Sequence, residues 1–277
     1  LEEYRPGNCK CERLEIYLFL TDYKKELPKS MNKVIDAENV NTGITSPCQK
    51  ITRVYIYRRE EYMKLVIHEL IHALGIDVPA YLKKKYTNYL DGFFGIESTY
   101  NLNETYTEIW ALIINVLLII VNGNDINTSR ELIIGQIKNS LKLENVFSGL
   151  QVYKILDFMT LSLEDLKNNT KNNKFKEETN VFGYYILKYI LLNSLDDFLE
   201  LTENSNISFQ GRLSQQQIII KCDKLLNMIT KKYLDNQFLS NYKSIIDLYI
   251  SIKDSNIKKS SKKMIKNTMR MTVLELA

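Results

Sequence analysis

The chain's only two histidines stand four residues apart in the run KLVIHELIHALGI, Lys64 to Ile76, as His68-Glu69-Leu70-Ile71-His72. On an α-helix, residues i and i+4 share a face. Both imidazoles can therefore reach one metal ion. Glu69 is turned away by about 100°, so it can flank that ion without ligating it. This is the spacing of two zinc ligands with a carboxylate set to take a proton from a metal-activated water. Zinc lowers the pKa of such a water from about 15.7 to about 7, and Glu69 would pass the proton to the leaving amine, as base and then acid. The competing account is a pair of core histidines in an apolar helix. It leaves two imidazoles and a carboxylate buried without a partner in the local sequence, and unpaired buried polar groups are costly.

A catalytic zinc takes three protein ligands and keeps one position open, and no third histidine exists. The metzincin pattern H-E-x-x-H-x-x-G-x-x-H is matched as far as Gly75, but its last position is Val78. Asp77 falls one residue early and is expected to point elsewhere. Downstream, Glu97 is one candidate, and the run NETYTEIWA (Asn103–Ala111) offers Glu104 and Glu108, again four apart. Thr105-x-x-Glu108 also reads as a capping box, which would occupy Glu108 at a helix end.

The run Asn103-Glu104-Thr105-Tyr106-Thr107-Glu108 resembles the N-E-x-x-x-D element of the gluzincin class of zinc peptidases, typified by thermolysin-like enzymes, with Glu in place of the usual Asp. The resemblance implies that Glu104 is the third ligand and that Glu108 orients a zinc-bound histidine. It covers roughly residues 51–115. The 31 residues between His72 and Glu104 exceed the thermolysin-like spacing, so the intervening loop must differ. The segments YRREEYMKLVIHELIHALGID and ETYTEIWA also resemble uncharacterised zinc peptidases encoded by large DNA viruses. Gluzincins often supply a Tyr or His to stabilise the oxyanion. With no histidine left, that role falls to tyrosine: Tyr184 or Tyr185 of TNVFGYYILKYI, or Tyr100 and Tyr106 near the expected ligand. In a chain with 18 tyrosines, packing is the ordinary alternative.

The elements that must position these residues follow from hydrophobic periodicity. RLEIYLFLT (13–21) and ITRVYIYR (51–58) read as strands, with a short edge segment at 39–47. Glu60 and Glu61 open the histidine helix, which ends at Gly75. The stretch 79–102 is mixed and aromatic-rich, and a second apolar helix spans about 104–121. Further helices are expected at 130–143, 148–160, 162–168, 179–202, 213–233 and 235–252, with an exposed loop at 168–178. The expected architecture is α+β. A zincin-like catalytic lobe (1–128) with a small mixed sheet precedes a mainly helical lobe (129–277) that completes the cleft.

Lys+Arg 37 against Asp+Glu 33 gives +4, too small an excess to indicate nucleic acid. The lysine run 258–263 reads as a solvated face, with attraction of an acidic partner the lesser reading. The most apolar run, Ile109–Val121, is 13 residues, short of the roughly 20 needed to span a bilayer. No signal segment is visible, which leads to an expectation of a soluble intracellular protein, cytoplasmic or virion-associated. Since the chain begins at Leu1, secretion stays open. The four cysteines, Cys9, Cys11, Cys48 and Cys222, are expected to be unpaired structural thiols, the alternative being a disulfide from Cys48 to Cys9 or Cys11 in an oxidising compartment. The functional expectation is a peptidase with one zinc ion acting on a peptide or protein. The competing class is a catalytically silent zincin-fold protein that binds or builds structure.

Overall fold

Period-2 burial in Ile51–Arg58, where Thr52, Val54, Ile56 and Arg58 face inward, makes this segment the centre of a three-stranded sheet. A computed structural model describes residues 1–167, 175–202, 207–211 and 213–275. In it β1 (Arg13–Thr21) is followed by a single helical turn, α1 (Ala37–Val40), then β2 (Gly43–Thr45) and β3 (Ile51–Arg58). The sheet order is β1-β3-β2, with β1 parallel and β2 antiparallel to β3. The rest is helical: α2 (Tyr62–Ala73), α3 (Lys83–Phe93), α4 (Leu102–Asn122), α5 (Arg130–Phe158), a π-helical turn (Phe182–Leu187) continuing into α6 (Lys188–Leu192), α7 (Leu195–Thr202), α8 (Gln215–Tyr233), α9 (Asn236–Asp254) and α10 (Lys259–Asn267). The architecture is mixed α+β with one small mixed sheet.

The apolar character of α2 on almost every side has a packing cause. Leu65 and Ala73 join Val54 and Ile56 against the sheet. Ile67, Ile71 and Leu74 pack with Ala111 of α4 and with Cys9 and Cys11 of the amino-terminal segment. Only the stripe carrying His68, Glu69 and His72 faces a cleft. The largest core cluster runs from Ile35 to Met271 and takes residues from both sides of position 128. Helix α4 is long and apolar enough to cross a membrane, yet 56% of its apolar window is buried inside the molecule, where it serves as the core helix beside α2.

Several expectations are corrected. The two helices expected within 130–160 are one, because α5 is continuous from Arg130 to Phe158. The segment 162–168 is reduced to a 3-10 turn, Glu164–Leu166. The mixed stretch 79–102 contains α3, whose burial of Tyr86 and Leu90 was hidden by its lysines. Of the loop expected at 168–178, residues 168–174 lie outside the described residues, while Phe175 is core.

The thiol expectation is overturned for Cys9 and Cys48, which form a disulfide, while Cys11 and Cys222 are free and buried. The loop carrying Cys48 folds onto the carboxy-terminal end of α2, where the Cys48 N–H donates to the Ala73 carbonyl at 3.1 Å. The pairing needs Gly75 at that point. Its φ is +61°, and a Cβ there would stand 2.6 Å from Cys48 Sγ, so a side chain would be both strained and crowded.

Candidate metal centre

Helices α2 and α4 cross so that three acceptors converge. His68 Nε2 and His72 Nε2 lie 3.2 Å apart, and Glu104 Oε2 is 3.3 Å from the first and 3.2 Å from the second. The group could hold a metal ion, with its ligand atoms all within 4.8 Å of one another. The opposite ring nitrogens explain why a cation fits. His68 Nδ1 donates to Glu108 at 3.1 Å, and His72 Nδ1 donates to Asp77 at 2.5 Å. With protons fixed on Nδ1, neutral rings turn two lone pairs toward each other and toward a carboxylate. Such a triangle needs a positive charge in its middle. Without a metal, protons supply it. Burial disfavours the charged imidazoles, yet the Glu104 and Glu108 hydrogen bonds raise His68, and the Glu104 charge with the Asp77 hydrogen bond holds His72 well above its usual value. Burial would likewise raise Glu104, but the His72 charge keeps it well below the carboxylate range.

Glu108 is 1% exposed and accepts from the equally buried Lys64 ammonium, with Lys188 3.5 Å away. Burial opposes its charge, and these two cations override that and hold it far below the usual range. This buried ion pair supports His68 from behind. It also disposes of the capping-box reading. Helix α4 starts at Leu102 with no side-chain cap, and Thr105 Oγ1 turns to the Gly183 carbonyl at 3.1 Å instead. Glu97 is outside the cluster, paired with Lys176 at 2.7 Å near the surface.

Glu69 sits beside the triangle against β2. Thr45 Oγ1 donates to its Oε2 at 2.5 Å, and a Cβ on Gly43 would meet its Oε1 at 3.0 Å and the Tyr55 carbonyl at 2.9 Å. The strand thus leaves a niche for the carboxylate and supplies a donor to fix it. A cleft of about 480 Å³ opens in front, reaching from Ile44 and Pro47 to Asn101, Asn103 and Asn180.

Tyr184 lines this cleft and its hydroxyl donates to Glu104 Oε2 at 2.9 Å. Burial first, and then the Glu104 charge, keep it protonated well above the ordinary tyrosine range. Tyr185 is a correction. Consecutive helical side chains diverge, and its hydroxyl donates to the Met269 carbonyl at 2.5 Å, fully buried and away from the cleft. Tyr100 and Tyr106 are core residues bonded to the carbonyls of Phe94 and Ile207.

Asp77 is the residue misjudged from sequence. It does not join the ligands, but it does not point away. The left-handed turn at Gly75 takes the chain out of helical geometry and brings Asp77 to the far nitrogen of His72. Thr45 and Lys64 went unremarked, since nothing local ties a strand threonine or a helix lysine to the motif.

A carboxy-terminal strap braces the same helix. Glu61 has a left-handed backbone, pairs with buried Lys25 at 2.8 Å, and accepts from the amides of Met271 and Thr272 at 2.6 Å each. The first-turn amides of Met63 and Lys64 are capped by Glu275, at 3.2 and 2.8 Å. That arrangement satisfies helix-end donors that would otherwise be orphaned.

No protein-family model, curated protein or solved structure matches the chain.

Proposed function

We propose that the protein is a zinc-dependent peptidase of zincin type, with His68, His72 and Glu104 as ligands and Glu69 as general base and then acid. The observation that carries this reading is the triangle of acceptors. Donors about 2.0–2.1 Å from a tetrahedral zinc lie about 3.3 Å apart, and its edges are 3.2, 3.2 and 3.3 Å. Two imidazoles and one carboxylate, with a cleft in front, are the donor set of a hydrolytic rather than a structural zinc site.

Bound zinc would supply a water of near-neutral pKa and polarise a carbonyl oxygen. Thr45 donates to the Glu69 carboxylate, which lines the same cleft as the three ligands. Glu69 takes the proton of the attacking water and delivers it to the amide nitrogen as the peptide bond breaks. Tyr184 keeps its proton, and its single O–H, which rests on Glu104 Oε2 at 2.9 Å, would turn from Glu104 to the carbonyl oxygen as that atom gains charge. Asn101 and Asn180, which hydrogen-bond each other, form a polar rim suited to peptide backbone.

The test is cleavage of diverse peptide libraries by zinc-loaded protein, with and without chelator, beside Glu69→Gln. The expected result is chelator-sensitive cleavage that falls by several orders of magnitude in Glu69→Gln while zinc stays bound. Absence of cleavage by fully loaded wild type, or equal activity of Glu69→Gln, overturns the reading.

A further inference from the structure

Sharing no lining residue with the metal cleft, another concavity of about 540 Å³ lies between the end of α5, the end of α9 and α10. Its lining is partly apolar: the Tyr153 and Tyr249 rings meet at a tilt of 58° with centroids 5.0 Å apart, beside Ile250, Ile252 and Ile265. Its rim is cationic, with Lys253, Lys259, Lys262, Lys263 and Lys266 against the single carboxylate of Asp157. Over the whole chain cations and anions are nearly balanced, at 37 to 33. Five to one around a single groove is a local departure, and it includes lysines of the 258–263 run that the peptidase reading leaves without a role.

The groove has a fixed wall. Buried Lys154 donates to the carbonyls of Ile265, at 2.8 Å, and Thr268, anchoring the last turn of α10 to α5. Lys262 is held by the Lys253 carbonyl at 2.6 Å. Among the described residues no carboxylate pairs with Lys253, Lys259, Lys263 or Lys266. Like charges crowded on one rim repel one another, and a polyanion relieves that repulsion. A merely solvated lysine face needs no apolar lining.

We infer that this groove docks an acidic peptide segment, seating an apolar side chain against the Tyr153–Tyr249 pair while its carboxylates meet the lysine rim. The segment is that of a partner protein, recognised by its carboxylates together with one apolar side chain.

The test is fluorescence anisotropy of the full chain with a labelled glutamate-rich peptide carrying leucines. Saturable binding is expected, weakening with salt as exposed charge pairs are screened. The triple variant Lys259→Glu/Lys263→Glu/Lys266→Glu should weaken it about tenfold or more, each exposed pair contributing little alone, with thermal unfolding unchanged. Tyr249→Ala, which keeps every charge, should weaken it as well, and serves if the triple variant does not fold. The inference is overturned by no saturable binding at low salt. Equal binding of the same peptide with serine for leucine also overturns it, as does tighter binding of a thymidine oligonucleotide of matched charge.

Discussion

The two imidazoles are held from behind by different means. His68 leans on Glu108, a fully buried carboxylate gripped by Lys64 and Lys188. His72 leans on Asp77, a partly exposed carboxylate on a loop, with 18% of its side chain accessible. The first brace belongs to the core, and removing it takes from two buried lysines the one carboxylate they pair with directly. The second belongs to the cleft, and removing it leaves a group that water can reach. The same chemistry, an acid fixing the proton on Nδ1, is thus tied to folding in one case and to the site alone in the other.

The sharpest way to break this contrast is Glu108→Ala. Stranding buried cations typically costs about 3–5 kcal/mol, so denaturant unfolding should show a loss of that size or outright failure to fold. A loss below about 1 kcal/mol, the range of an exposed pair, would mean the network is wetter than its burial implies. Removing metal comes next. Free zinc at a hundred times its dissociation constant stabilises the native state by about 2.7 kcal/mol, so chelation should lower the unfolding transition accordingly. A transition unmoved by chelator contradicts a bound ion.

Asp77→Asn should behave the other way round from Glu108→Ala. Loss of a carboxylate behind a ligating histidine lowers metal affinity by about 10–100-fold, measured by competition with a chromophoric chelator, while metal-free stability falls by less than in Glu108→Ala, since no buried cation is stranded. Equal stability losses in the two variants would erase the distinction. The smallest effect is a slope with pH. In the metal-free protein both imidazoles titrate above their usual value, so their protonation contributes stability that is fully present at low pH. It is lost as pH rises through the elevated range. Zinc must displace those protons, so its apparent affinity should climb over the same range and then level off. A flat affinity profile there contradicts the shared site.

How legible all this was depends on sequence distance. His68, Glu69 and His72 can be read because helical periodicity fixes i and i+4 on a common face before any tertiary structure is known, whereas the separate roles expected of Glu104 and Glu108 come from the resemblance to the gluzincin element. β1 and β3 were visible through alternation. Asp77 cannot be placed by regular helical geometry past Ala73, because Gly75 reverses the backbone there; a glycine in the sequence marks the stop of a helix without showing a turn toward the site. Thr45, Lys188, Lys25 and the strap from Asn267 to Glu275 act through contacts between distant segments, which no local pattern encodes. The Cys9–Cys48 bond joins residues 39 apart for the same reason. It suits an oxidising compartment better than the cytoplasm, and so bears directly on the intracellular expectation.

On the function proposed above, the crossing of α2 and α4 makes one catalytic-type zinc site. Anomalous diffraction at the zinc edge from crystals of the zinc-loaded protein tests it most directly. The account predicts a single strong peak about 2.0–2.2 Å from His68 Nε2, His72 Nε2 and a Glu104 oxygen, with a fourth position open to the cleft. A peak ligated instead by Asp77 or Glu108, or no peak between the two rings, would contradict it.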